Sequence, residues 1–151
     1  MSPQPRAGAD PAGLDGRLVV PNAYSELERV EEWVRRFAVE HELAREHAYA
    51  LDLALAEALT NIMSYAYRDD ARHDIVVELN LRAAEIRVQI EDDGVPFNPL
   101  ELPVEAHPQT LDAARSTGRG ILLIRSFMSK LHYARRDNRN VLTMVLDCAG
   151  R

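Results

Sequence analysis

Cysteine is all but absent: Cys148 is the only one in 151 residues, so neither an intrachain disulfide nor a cysteine-ligated zinc site can form. Lysine is nearly absent too, which leaves the positive charge of the chain to arginine. There is no basic excess. The formal net charge is −6, and non-specific binding to nucleic acid or to an anionic membrane rewards the opposite sign. No apolar run approaches the roughly 18 to 20 residues of a spanning helix, and the opening MSPQPRAGADPAG has no hydrophobic signal core. The expected location is therefore the cytoplasm, with no direct nucleic-acid or membrane partner. The five histidines include neither an i, i+4 pair nor an HExxH, so they read as surface or helix-end residues rather than metal ligands.

What is present is an ordinary globular composition, 46% hydrophobic and 28% charged, over about one domain's length. Residues 1–15, rich in Pro, Gly and Ala, read as a flexible tail, and residues 16–151 as a single domain. Arg17 to Val20 is a short strand candidate stopped by Pro21. Asn22 or Ser25 can cap a first helix carrying Leu27, Val30, Val34, Phe37 and Ala38 on one face. A second helix is expected from about Arg45 to Tyr67. Its apolar side gathers Leu51, Leu55, Ala58, Leu59, Ile62 and Ala66, while Glu57, Thr60, Asn61 and Ser64 share the other. Glu57 and Asn61, at i and i+4, can address one small object together, or they can simply belong to a solvated face.

After Asp70 the period changes from 3.6 to 2. Ile75, Val77, Leu79 and Leu81 alternate with polar neighbours, Arg82 to Ala84 turn the chain, and Ile86, Val88 and Ile90 alternate again. Continuing that alternation points Asp92 toward the buried side, where a charge is costly unless hydrogen-bonded. Asp92-Asp93-Gly94 reads either as a plain hairpin turn or as a special end to the strand, since Pro96 and Pro99 cannot rejoin a ladder. Leu100 to Thr117 is long for a loop and reads as a lid or binding loop, with a short helix near Leu111 to Arg115. Gly118-Arg119-Gly120 then opens a helix with Ile121, Ile124, Phe127 and Met128 on one face. Such a start serves either close packing or an anion. Leu131 to Arg135 and Val141 to Leu146 close the chain as two strands, with Arg135, Arg136 and Arg139 read as a solvated hairpin tip. Strands mostly in hairpins, with helices that each need one covering partner, give an α+β two-layer sandwich. One mixed, mostly antiparallel sheet is expected, covered on one face by helices.

Three motifs in this order resemble a known family. Glu57-Ala-Leu-Thr-Asn61 is similar to the N-box, Asp92-Asp-Gly94 to the first glycine box, and Gly118-Arg-Gly120-Ile-Leu-Leu-Ile124 to the second, all of the ATP-binding fold of gyrase-type ATPases and histidine kinases (Bergerat-type). The nearest likeness is to the anti-sigma-factor serine/threonine protein kinases of bacterial partner-switching systems, and it covers roughly residues 17 to 147. The resemblance implies ATP and Mg²⁺ as cofactors. Asn61 would coordinate Mg²⁺, Asp92 would accept a hydrogen bond from the adenine amino group, and Gly94 would admit the ring. Gly118, Arg119 and Gly120 would line the triphosphate, Arg115, Ser116 and Thr117 would be lid contacts, and Glu57 would be the general base.

Implied partners are a sigma factor or similar regulator, an antagonist protein as phosphorylation substrate, and a second copy of the chain in a homodimer. Two departures stand out: proline at position 96 where many relatives have glycine, and a lid segment, AARSTGRG, without the fuller glycine run. With so little lysine, cationic help to the γ-phosphate falls to Arg115 or Arg119. The competing expectation is a non-catalytic nucleotide-binding module that sequesters a partner without phosphorylating it.

Overall fold

The computed structural model describes residues 15–101 and 119–149. Strand β1 (Gly16–Pro21) ends at a proline that cannot donate to a ladder. A 3-10 turn at Tyr24–Glu26 leads into helix α1 (Leu27–Glu40), which buries Val30, Val34, Phe37 and Ala38 as its periodicity requires. Neither expected residue caps it. The 3-10 turn occupies the entry to the helix, and the Asn22 carboxamide instead accepts the His73 backbone N–H at 3.0 Å.

Helix α2 (Arg45–Tyr65) presents Leu51, Leu55, Ala58, Leu59 and Ile62, with Ala66 just beyond its end, at no more than 2% exposure. Strands β2 (Asp74–Arg82) and β3 (Glu85–Asp92) follow as a hairpin whose central residues, Ala83 and Ala84, have φ of 49° and 67°. Past residue 118, helix α3 (Arg119–Phe127) precedes a second hairpin, β4 (Lys130–Arg136) and β5 (Arg139–Asp147), with Asp137 and Asn138 at φ 52° and 63°. Two successive positive φ values match the twist of the flanking strands.

The sheet order is β1-β2-β3-β5-β4, and each neighbouring pair is antiparallel. The expected two-layer α+β sandwich is therefore present, and all its described pairings are antiparallel where a mixed sheet was allowed for. The core lies between the helices and one face of the sheet. Ile75, Val77 and Leu79 of β2, Ile86, Val88 and Ile90 of β3, and Leu142, Met144 and Leu146 of β5 are at most 3% exposed. Full burial of such a side chain is worth roughly 1.5–3 kcal/mol. The other face carries ion pairs, Arg17 with Glu78 at 3.4 Å and Arg139 with Glu91 at 3.1 Å. Because side chains alternate, the inward rows of β3 and β5 end on two polar residues, Asp92 and Asn140. Both are buried, and they sit opposite each other in the register.

Candidate functional site

The second half of α2 is the backbone of the site. Glu57 and Asn61 stand one turn apart on it, and Asn61 is 3% exposed. Its amide nitrogen has no hydrogen-bond partner among the described residues. A buried amide donor left without a partner is costly, and an acceptor on a ligand can complete it. Glu57 lies against the first turn of α3: a β-carbon on Gly120 would collide with the Glu57 carboxylate. Glycine at position 120 thus leaves the Glu57 carboxylate its place, where a side chain would push it aside. The other polar residues of the stripe are otherwise engaged. Thr60 donates back to the Ala56 carbonyl at 2.7 Å, and Ser64 shares a 2.8 Å hydrogen bond with the Tyr24 hydroxyl.

The other end of the site is built from the sheet. Asp92 is 1% exposed, and one of its oxygens accepts the Gly94 N–H at 2.9 Å and the Asn140 amide at 2.8 Å. Burial pushes this carboxyl above its ordinary value of 3.8, against the pull of the two hydrogen bonds; Asp93 adds to the rise and Arg135 opposes it. Gly94 packs on the end of α2, where a β-carbon would strike the Ala66 carbonyl and methyl, and the Val95 N–H bonds that carbonyl at 2.7 Å. Its missing side chain is required by the helix end.

Sequence reasoning passed over the residue that ties this end together. The Asn140 amide donates to Asp92 and, at 2.9 Å, to the Val95 carbonyl, while its oxygen accepts from the Phe97 N–H at 3.1 Å, from the Tyr133 hydroxyl and from Arg135 at 3.1 Å. Arg135 also donates to the Gly94 carbonyl at 2.8 Å. The expected solvated arginine tip holds for the exposed Arg135 and Arg136, but Arg135 also holds the turn after β3, and the half-buried Arg139 pairs with Glu91. The signal that could have found Asn140 is the one that found Asp92, a polar residue in phase with Leu142, Met144 and Leu146.

Arg119 is the first residue of α3. Arg115, Ser116, Thr117 and Gly118, together with most of the expected lid loop and its short helix, lie outside the described residues. Among the described residues no three His, Cys, Asp or Glu side chains gather into a metal-holding group. A Mg²⁺ ion fits the site in another way. It is commonly held by one or two protein oxygens plus phosphates and water; Asn61 would offer it the carboxamide oxygen, beside the Glu57 carboxylate, while the unpartnered amide nitrogen, a donor, would face a phosphate oxygen. That carboxylate lies against the start of α3, where an anion would sit, and a cation there would offset the repulsion between the two. A groove of about 580 Å³ elsewhere, among Glu31, Arg35, Leu43, Tyr49 and Asp52, shares no residue with this cluster.

An antiparallel sheet under a layer of helices, with Glu57 and Asn61 on one helix and Glu57 against the start of another, is the architecture, and its sequence says which family it belongs to. The sequence pattern of the histidine kinase-like ATPase domain matches residues 20–146, and the chain belongs to that family. Within it, the chain is 32% identical over 115 residues to the serine/threonine-protein kinase BtrW of Bordetella bronchiseptica, covering 75% of this chain and 80% of that one. It is 26% identical over 92 residues to the anti-sigma F factor of Clostridium perfringens, covering 60% and 66%. The likeness to the anti-sigma-factor serine/threonine kinases thus holds across most of the chain. Among solved structures, the blue-light activated histidine kinase of Erythrobacter litoralis EL346 superposes with a TM-score of 0.52 at 19% identity, over 72% of this chain and 33% of that one. At that identity the match speaks for the fold alone. No helix among the described residues is long and apolar enough to cross a membrane.

Proposed function

We propose that this protein is an ATP-dependent serine/threonine kinase and anti-sigma factor that phosphorylates an antagonist protein and sequesters a sigma factor. One observation carries the reading: a single helix, α2, sets Glu57 against Gly120, carries Asn61 with its unpartnered amide nitrogen one turn on, and ends on the Asp92–Gly94 turn. Glu57 and Ala66 are about 13 Å apart along the helix axis, a span comparable to an extended nucleoside triphosphate.

In this reading Asp92 receives the adenine amino group at the sheet end, where Asn140 and Gly94 hold its carboxylate in place. Gly118, Arg119 and Gly120 line the triphosphate at the start of α3, with Arg115, Ser116 and Thr117 closing over it. Asn61 would hold Mg²⁺, which would supply charge neutralisation to the phosphates. Glu57 takes the proton from the acceptor hydroxyl. Phosphoryl transfer is mainly positioning and charge stabilisation, so these parts suffice. The same reading makes the protein a homodimer, which sedimentation at several concentrations would test.

Incubation with Mg-ATP and candidate antagonists should yield an acid-stable phosphoserine or phosphothreonine, and Glu57→Ala should abolish it while ATP still binds. Retained ATP affinity with no transfer to any antagonist would instead make the protein a non-catalytic sequestering module.

A further inference from the structure

His73 stands outside the motifs, yet it is the most highly connected histidine among the described residues. Its Nε2 lies 2.8 Å from an Asp69 oxygen, in the turn between α2 and β2, and its Nδ1 lies 3.1 Å from an Asp93 oxygen, just after β3. The ring stacks on Tyr67, with centroids 4.7 Å apart. Its backbone is fixed as well: the N–H donates to Asn22, and its carbonyl accepts the Asn22 N–H at 2.9 Å. His73 therefore joins the ends of β1, α2 and β3 at one point, and its side chain is only 20% exposed. A neutral imidazole carries a single N–H, so it can donate to one of two carboxylates and must turn a lone pair on the other. Only the imidazolium serves both.

We propose that His73, as an imidazolium, is a positioning residue for the nucleotide base: it holds Asp93 toward the end of α2 and thereby fixes the Asp92–Gly94 turn that receives the adenine. This rests on the assignment of that turn to the base. The link from Asp93 to Asp92 is direct, since they are consecutive and the charge of Asp93 raises the proton affinity of Asp92. A cation on Asp93 offsets that push.

The groups that face His73 are Asp69 from the α2–β2 turn, Asp93 from the end of β3, and the Tyr67 ring beyond α2. The uncharged Asn22 faces it from β1, and Asp74 and Arg72 flank it and pair with each other at 3.4 Å. Arg139, near Tyr67, is paired with Glu91 and does not neutralise the two carboxylates. The Asp69 hydrogen bond, and after it that of Asp93, hold the His73 pKa above its ordinary 6.5 despite an opposing desolvation cost. An exposed ion pair contributes little to stability, so the effect belongs in nucleotide affinity and its pH dependence.

The test is the affinity for Mg-ATP from pH 5.5 to 8.5 in the wild type, His73→Gln and His73→Lys, with the ring of His73 followed by NMR over the same range. Titration of the nucleotide itself is common to all three proteins and drops out of the comparison. The wild type should lose affinity by about three- to tenfold as the pH rises through the His73 pKa seen by NMR. His73→Gln should be weak throughout, and His73→Lys, charged at every pH, should stay tight without that step. Asp93→Asn should lower the His73 pKa. A wild-type profile indistinguishable from that of His73→Gln, or a His73 pKa unmoved by Asp93→Asn, overturns the proposal while leaving the nucleotide reading intact. A wild type that binds no ATP, or an Asp92→Asn variant that binds it unchanged, overturns the assignment of the turn and the proposal with it.

Discussion

The two ends of the candidate site are finished to different degrees. At the sheet end, the buried Asp92 has its partners in Asn140 and Gly94, and Asn140 in turn engages Val95, Phe97, Tyr133 and Arg135. At the helix end, the equally buried Asn61 has an amide nitrogen with no described partner, and Glu57 presses on a glycine. A satisfied polar network rigidifies, whereas an unsatisfied group holds free energy that a ligand can release. The difference teaches where recognition is built in advance and where it waits. In the proposed reading the base end would be shaped before nucleotide arrives, and the phosphate end would be completed by it.

Substitutions at each end should separate along that line. The largest effect is expected from Glu57→Ala: transfer should fall by about 10²- to 10⁴-fold, with ATP affinity nearly unchanged, read by phosphotransfer and equilibrium binding. Next comes Asn140→Ala, which strips a buried carboxylate and a buried turn of their donor. It should destabilise the fold by about 1–3 kcal/mol in chemical denaturation. Asn61→Ala, at the unfinished end, should cost clearly less than Asn140→Ala, since no described partner of its amide nitrogen is lost. Equal destabilisation by the two asparagine variants would erase the distinction between the ends.

Smaller effects sharpen the comparison. The folded state raises the pKa of His73 above 6.5 and lowers that of Asp69 below 3.8, with their mutual hydrogen bond the leading cause. The His73 contribution is full below about 6.5 and fades as the pH climbs through its raised value; the Asp69 contribution is present above about 3.8 and fades as the pH falls through its lowered one. The melting-temperature difference between wild type and His73→Gln should therefore be widest between those limits and shrink on either side. The smallest effect lies far from both ends. Ala83 and Ala84 hold positive φ in the β2–β3 turn, so replacing them with Asn-Gly should stabilise the protein by about 0.5–1 kcal/mol without altering nucleotide binding.

Much of this was legible in the sequence because it is local. Period 3.6 gave the apolar side of α2 and the i, i+4 pairing of Glu57 with Asn61, and period 2 sent Asp92 inward. Asn140 was missed although it follows the same alternation, because Arg135, Arg136 and Arg139 around it read as a solvated tip. Its meaning depends on register, and the pairing of Asp92 with Asn140 joins residues far apart in the chain. The two glycines differ in the same way. Gly120 reads in the sequence as serving either close packing or an anion, and its closeness to Glu57 depends on how α3 docks on α2. Gly94, which the resemblance gives to the approach of the ring, also packs on Ala66, a contact that depends on where the end of α2 meets β3. His73 was grouped with surface histidines because its two carboxylates arrive from different segments.

The central claim, that the helix end is completed by a metal-bound nucleotide, is tested most directly by measuring ATP affinity with and without Mg²⁺ in the wild type and in Asn61→Ala. Mg²⁺ should strengthen ATP binding by about tenfold or more in the wild type and have little effect in Asn61→Ala, while both proteins bind ATP alike without it. The same Mg²⁺-dependent gain in Asn61→Ala as in the wild type would contradict the account.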